Sequence, residues 1–222
     1  MNKAFLFDLN GTMIDDMQFH VKAWHSILNE ELGAGLTREQ VKSQMYGKNS
    51  ELLVRVFGKD RFTAEEMDRL SIEKEKRYQQ EYLPHLKLIP GLQQFLEKAY
   101  ALKIPMAIGS AAIMFNIDFV LDNLNIRHFF GAIVSADDVA ISKPHPETYL
   151  KAAKLLGVDA AACLVFEDAP KGVEAAQNAG MPSVVLTLLH EKEEFAQYNN
   201  TIQFIKDYTH LSPAGLLQSI TV

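Results

Sequence analysis

KAFLFDLNGTMIDD, residues 3–16, decides how the chain is read. Lys3 to Phe7 is a short apolar run, and strands buried on both faces of a parallel sheet read this way. The run ends at Asp8, and the following DLNGTMIDD is loop chemistry around Gly11. An acidic side chain therefore stands at the C-terminal end of a first strand, where open parallel sheets build their sites.

Outward from this stretch the pattern changes twice. Between residues 17 and 86 there is helical spacing and no strand alternation, which predicts an insert of about four helices. The first covers Met17 to Leu32, and Thr37 with Gln40 resembles a capping box opening the second. Ser50 to Phe57 and Ala64 to Tyr82 are the others, and the EKEKRYQQE run of the last (73–81) reads as a solvated face. From Ile89 onward short apolar runs alternate with helical stretches. Strands are predicted at 104–109, 132–135, 163–166, 182–188 and 201–205, with helices between them and a last one at 212–219. That alternation implies βαβ units. The expected fold is α/β, a doubly wound parallel sheet formed by residues 1–14 and 87–222, with residues 15–86 inserted as a helical domain.

Composition narrows the function classes. The 222 residues are 48% hydrophobic and 23% charged, with a formal net charge of −6, which excludes disordered and low-complexity chains. The single cysteine, Cys163, excludes an internal disulfide and a multi-cysteine zinc site. No apolar run approaches the ~20 residues of a membrane span, and the N-terminus lacks the pattern of a signal peptide. The acidic balance argues against nucleic acid. The expectation is a cytoplasmic monomer with neither a membrane nor a nucleic-acid partner.

Four strand ends carry candidate chemistry: Asp8, Ser110, Lys143 in the segment after the third strand, and the pair Glu167-Asp168. Each has a bland alternative. Asp8 could form a turn, Ser110 could cap a helix, Lys143 could be solvated, and Glu167-Asp168 could cap the helix that follows. Their shared edge favours phosphoryl transfer. Carboxylates on an open site suit Mg²⁺, a carboxylate nucleophile can form an aspartyl phosphate, and a lysine and a hydroxyl can neutralise charge on the transferring group.

The motifs Asp8-Leu9-Asn10-Gly11-Thr12, Ser110, Lys143-Pro144 and FEDAPKGVEAAQNAGM (166–181) resemble those of the haloacid dehalogenase superfamily. Within it the likeness is to β-phosphoglucomutase and related sugar-phosphate phosphatases, over nearly the whole chain. The resemblance implies a Mg²⁺-dependent enzyme acting on a small phosphorylated metabolite. It makes Asp8 the nucleophile and a metal ligand, Asp168 a second ligand, and Glu167 a ligand or its neighbour. It gives Ser110 and Lys143 the phosphoryl group, with Ala111 beside them, and makes residues 15–86 a cap. His20 and Trp24 on the first cap helix, and Gly47 and Lys48 in the cap loop, would contact substrate.

This chain departs from that pattern at three places. Position 10 is Asn rather than Asp. Its backbone carbonyl can still serve the metal, but an amide cannot shuttle the proton that general acid catalysis needs. The cap loop Gly47-Lys48-Asn49-Ser50 lacks the arginine that would clamp a second phosphate, and Lys48 has no planar fork to replace it. The loop Ser110-Ala111-Ala112-Ile113 lacks a second hydroxyl and a lysine. These departures favour a phosphatase, or a mutase with an altered substrate. Two other readings stay open: a non-catalytic phosphometabolite-binding protein, marked by Asn10, and a phosphonate or haloacid hydrolase of the same fold. The phosphonate branch needs an imine-forming cap lysine, for which Lys48 is poorly spaced. The acidic pair argues against the haloacid branch.

Overall fold

Strand β1 (Ala4–Phe7) is fully buried, and the two faces of its AFLF run meet different neighbours. The computed structural model describes residues 2–220. Beside β1 stand β2 (Met106–Gly109) and β4 (Cys163–Glu167); β3 (Ala132–Val134) follows β2, and β5 (Ser183–Leu186) and β6 (Thr201–Ile205) follow β4. The order is β3-β2-β1-β4-β5-β6, and every pairing is parallel. Chain progression reverses direction beside β1 and β4. Doubly wound sheets hold their ligands beyond the strand ends at such a point.

The register brings the candidate residues level there. Phe7 lies opposite Ile108 on one side and Phe166 on the other. The residues that follow, Asp8, Gly109 and Glu167, therefore emerge together at one edge.

Helices cover the sheet. They are α5 (Leu92–Ala101), α6 (Met114–Asn123), α7 (Glu147–Leu156), α8 (Pro170–Asn178) and α9 (Pro213–Ser219). Small and aliphatic residues make one layer, in which Ala4, Leu6, Ala107 and Val165 pack with Tyr149 and Ala152 of α7 and Ala175 and Ala176 of α8. On the other side Phe5, Phe7 and Phe166 meet Phe95 of α5, with ring centroids 5.7, 6.3 and 5.4 Å from it. Gly91, which precedes α5, has φ +81°, and a Cβ there would collide with the backbone of Tyr208 and Thr209. Cys163 is buried in β4; burial, and then the Asp159 charge, push its thiol up to about 12, as suits a core residue.

By its internal contacts the chain divides into an α/β unit, Met1–Asp15 with Lys87–Val222, and a helical unit, Asp16–Leu86. The helical unit contains α1 (Met17–His25), α2 (Arg38–Gln44), α3 (Asn49–Phe57) and α4 (Ala64–Tyr82). Thr37 and Gln40 form the expected reciprocal cap, and Thr63 and Glu66 form another at the start of α4. The first predicted helix is not uniform. After His25 it widens into a π turn over Ser26–Glu31, which keeps Ile27 and Leu28 fully buried side by side. Periodicity alone does not distinguish the two windings. The expectation that EKEKRYQQE is a solvated face needs correction: Lys74 and Glu75 are 3% and 2% exposed.

Truncating Phe95 to Ala should remove the centre of the aromatic layer and destabilise the protein by about 3–5 kcal/mol. Urea unfolding of the wild type and the Phe95→Ala variant checks this, and a loss under about 1 kcal/mol would contradict the packing account.

Candidate active site

Asp8 follows β1 directly, and its backbone N–H donates to Phe166 O at 3.0 Å. The chain then turns back on itself: Met13 N–H donates to Leu9 O, Gly11 N–H donates to Ile14 O, and Asn10 bridges Ile14. This turn needs Gly11, whose φ is +80° and whose missing Cβ would fall on the Asp168 carboxylate. Thr12 Oγ1 donates to Asp168 Oδ1 at 2.9 Å, and Tyr208 OH donates to Thr12 O at 3.0 Å. The loop after β1 thereby holds the acid after β4.

Lys143 completes the cluster. It precedes α7, joined to Pro144 by a cis peptide bond, and is buried. Its ammonium donates to Asp8 Oδ1 at 2.7 Å, to Glu167 Oε1 at 2.7 Å and to Tyr149 OH at 2.9 Å. Tyr149 OH in turn donates to Glu167 Oε1 at 2.7 Å. The other Glu167 oxygen, Oε2, accepts the N–H groups of Asp168 and Ala169. These two N–H groups precede α8, which has no side-chain cap, so Glu167 braces the turn into the helix rather than capping it. Gly172 leaves room for it, since a Cβ there would overlap its carboxyl group.

Burial dominates the electrostatics. It works against the Lys143 ammonium, but the Asp8 and Glu167 charges outweigh it and hold this group above the usual lysine range. Burial, reinforced by the charges of Glu167 and Asp8, pushes the Asp168 carboxyl well above the usual carboxylate range. Ligand oxygens of Asp8, Glu167 and Asp168 all lie within 4.8 Å of one another. Three carboxylates thus face a single ammonium. Hard oxygen donors carrying excess negative charge are a fitting set for a divalent cation.

The remaining candidates fall in different places. Ser110 is buried just beyond β2; its N–H donates to Val134 O, and its Oγ accepts the Ala112 N–H at 3.1 Å. Half-buried Ala111 lies within that turn. Gly47 has φ +71° in the loop before α3, and Lys48 is the N-cap residue of that helix, its N–H donating to Glu51 Oε2. Trp24 lies in the apolar core of the helical unit with Leu28, Val41 and Leu53. That position accounts for it by packing.

His20 sits in a buried polar chain within the helical unit. Its Nε2 is 3.1 Å from Asp16 Oδ2, and its ring stacks on Tyr78 at 3.8 Å between centroids. Lys74 Nζ lies 2.6 Å from His20 Nδ1 and 2.9 Å from Glu75 Oε1, which also accepts from Asn49 Nδ2 at 3.0 Å. A lysine ammonium can donate only to an Nδ1 lone pair, so the proton of this tautomer is assigned to Nε2, facing Asp16. Burial works against the Glu75 charge, and the Lys74 ammonium holds its carboxyl below the usual range.

The sequence reading missed Thr12, Tyr149 and Tyr208 in the α/β unit, and Asp16, Lys74 and Glu75 in the helical unit. Thr12 lies inside the first motif and could have been found there. A tyrosine one turn into a helix reads as core.

Comparisons with known proteins agree with this geometry. The model of the haloacid dehalogenase-like hydrolases matches residues 5–186. A fructose-1-phosphate phosphatase of Escherichia coli is 31% identical, over 84% of this chain and 97% of the relative. A β-phosphoglucomutase of Bacillus subtilis is 32% identical over 82% of each. The crystal structure of a β-phosphoglucomutase from Clostridium difficile superposes with a TM-score of 0.84 at 27% identity, covering 99% of this chain and 97% of that one. With its strand order and acidic cluster, the chain belongs to the haloacid dehalogenase-like hydrolase family, as an enzyme of the phosphatase or phosphotransferase kind.

Proposed function

We propose that the protein is a Mg²⁺-dependent phosphatase of small sugar or sugar-alcohol monophosphates that works through a phospho-Asp8 intermediate. The observation that carries this reading is the Lys143 ammonium, 2.7 Å from both Asp8 Oδ1 and Glu167 Oε1, beside the buried Asp168 carboxyl.

In this reading Asp8 and Asp168, with the backbone carbonyl of Asn10, would hold a divalent cation, which when bound would offset negative charge on the phosphoryl oxygens. Asp8 attacks phosphorus through the carboxylate oxygen that Lys143 does not hold, the P–O bond to the sugar breaks, and the departing sugar oxygen takes its proton from water, since Asn10 has none to give. Lys143 aligns Asp8 through its hydrogen bond to Oδ1 and neutralises charge as the phosphoryl group arrives. Ser110, at the adjacent strand end, offers a hydroxyl to a phosphoryl oxygen. Water then attacks the acyl phosphate, releasing inorganic phosphate and regenerating Asp8. Residues 15–86 act as the cap, with boundaries at 14–15 and 86–87, and contact the sugar through His20 and the Gly47-Lys48 loop. The molecule is a cytoplasmic monomer in this account.

A phosphatase is preferred to a mutase for two reasons. Asn10 cannot return a proton to or from a sugar hydroxyl, the step a mutase repeats in both directions. The helical unit also offers no arginine at Gly47-Lys48-Asn49-Ser50, and its buried Lys74 is committed to Glu75 and His20.

Sugar monophosphates, fructose 1-phosphate among them, should release phosphate with Mg²⁺, and chelation or an Asp8→Ala change should stop it. A mass increase of one phosphoryl group with acetyl phosphate, absent from Asp8→Ala, checks the intermediate. No release and no labelling, even in an Asn10→Asp variant, would favour the non-catalytic binding reading instead. Asn10→Asp should raise kcat on sugar monophosphates by about 10²–10⁴-fold and change acetyl phosphate hydrolysis far less. An equal effect on both substrates would contradict the proton-transfer argument. A hexose bisphosphate should show a kcat/KM at least about tenfold below the monophosphate, the scale of one missing charge-assisted contact; parity would contradict the account of the loop.

A further inference from the structure

We infer that Tyr149 is a positioning residue of this active site, setting the place of the Lys143 ammonium through its phenol hydroxyl; the inference rests on the phosphatase reading for its kinetic consequence and on geometry alone for the rest. A lysine ammonium has three N–H donors. Those of Lys143 are directed to Asp8, Glu167 and Tyr149. The Tyr149 hydroxyl accepts from Lys143 and donates to Glu167 Oε1, so the three groups close a triangle whose sides are 2.7, 2.7 and 2.9 Å.

The triangle has consequences on both sides. Glu167 Oε1 receives two donors and Oε2 two more. A carboxylate so engaged is an anchor, and the direct carboxylate ligation of a cation falls to Asp8 and Asp168. For Lys143, a flexible four-carbon stem otherwise leaves the ammonium several rotamers. The hydrogen bond to the phenol removes part of that freedom.

The rest of Tyr149 explains why the hydroxyl stays in place. The residue is fully buried in the first turn of α7. Its ring packs with Leu6, Ala107 and Val134, and Lys143 Nζ lies 4.6 Å from the ring centroid. Gly109, at the end of β2, allows this approach, because a Cβ there would come within 3.1 Å of the ring. Ring and hydroxyl thus have separate functions: the ring belongs to the core, and the oxygen belongs to the site.

Tyr149→Phe keeps the ring and removes only the oxygen. In the full-length protein the variant should keep its thermal midpoint within a few degrees. Its kcat for a sugar monophosphate should fall about tenfold, with KM changed less than about twofold, since an alignment rather than a binding contact is lost. The second readout needs no activity. A buried, hydrogen-bonded lysine ammonium exchanges its protons slowly enough to give a ¹H–¹⁵N cross-peak. The Lys143 cross-peak, assigned by its absence in Lys143→Ala, should be present in the wild type with a nuclear Overhauser contact to the Tyr149 ring, and should broaden or vanish in Tyr149→Phe.

An unchanged cross-peak in Tyr149→Phe overturns the inference, whatever happens to kcat. So does an unchanged kcat in an active enzyme. Should the variant not fold, the wild-type ring-to-ammonium contact decides, and its absence overturns the inference. If wild-type protein releases no phosphate, the phosphatase reading fails, while the cross-peak still tests the positioning role.

Discussion

An ammonium buried among carboxylates is the constraint around which this structure is organised. Lys143 lies between Asp8 and Glu167 at hydrogen-bond distance from each, with Asp168 held nearby by Thr12. Leaving a charge unpaired in such a place costs several kcal/mol, so the cluster stands only if all its members arrive together. The parallel register delivers them, because β1 and β4 are adjacent and end level. The same adjacency marks the point where strand order reverses, the usual location of a ligand in a doubly wound sheet. Glycines at 11 and 172 make the space in which two of the acids sit. Lys143 balances only part of the negative charge. The remainder is the electrostatic reason for a cation; burial first, and then the Glu167 and Asp8 charges, raise the Asp168 carboxyl.

The helical unit has a polar core of a different kind. Asp16, His20, Lys74, Glu75 and Asn49 form one hydrogen-bonded chain from the residue before α1 to the first residue of α3. Buried networks of this sort fix a unique arrangement when their members are satisfied, and are costly when they are not. In this network the Lys74 ammonium is given to Glu75 and His20.

Much of this was legible in the residues, for identifiable reasons. Asp8, Ser110 and Glu167 each end or follow an apolar run, and Lys143 lies in the loop that follows another, so strand alternation was enough to gather them. The capping box at Thr37 and Gln40 follows from local chemistry alone. What stayed hidden depends on tertiary contacts. Tyr149 reads as a core residue, and its ring is one; only the fold reveals that its hydroxyl reaches Lys143. Lys74 and Glu75 lie in a charged run that reads as solvent-facing, and their burial depends on partners at positions 20 and 49. Trp24, given a substrate contact by resemblance, is a member of an apolar core cluster of the helical unit. The π turn after His25 has no signature in the hydrophobic period.

The account depends most directly on a divalent cation being needed to balance the acids at the β1–β4 edge. The measurement is the thermal unfolding midpoint across a MgCl₂ titration at constant ionic strength, for wild type and for Asp168→Asn. Ligand at 100 times its Kd adds about 2.7 kcal/mol, which for a chain of this size is a rise of about 5–10 °C. Wild type should show that rise and saturate, and Asp168→Asn should lose most of it. A wild-type midpoint that follows the sodium-matched control, or an equal rise in both proteins, would contradict the account.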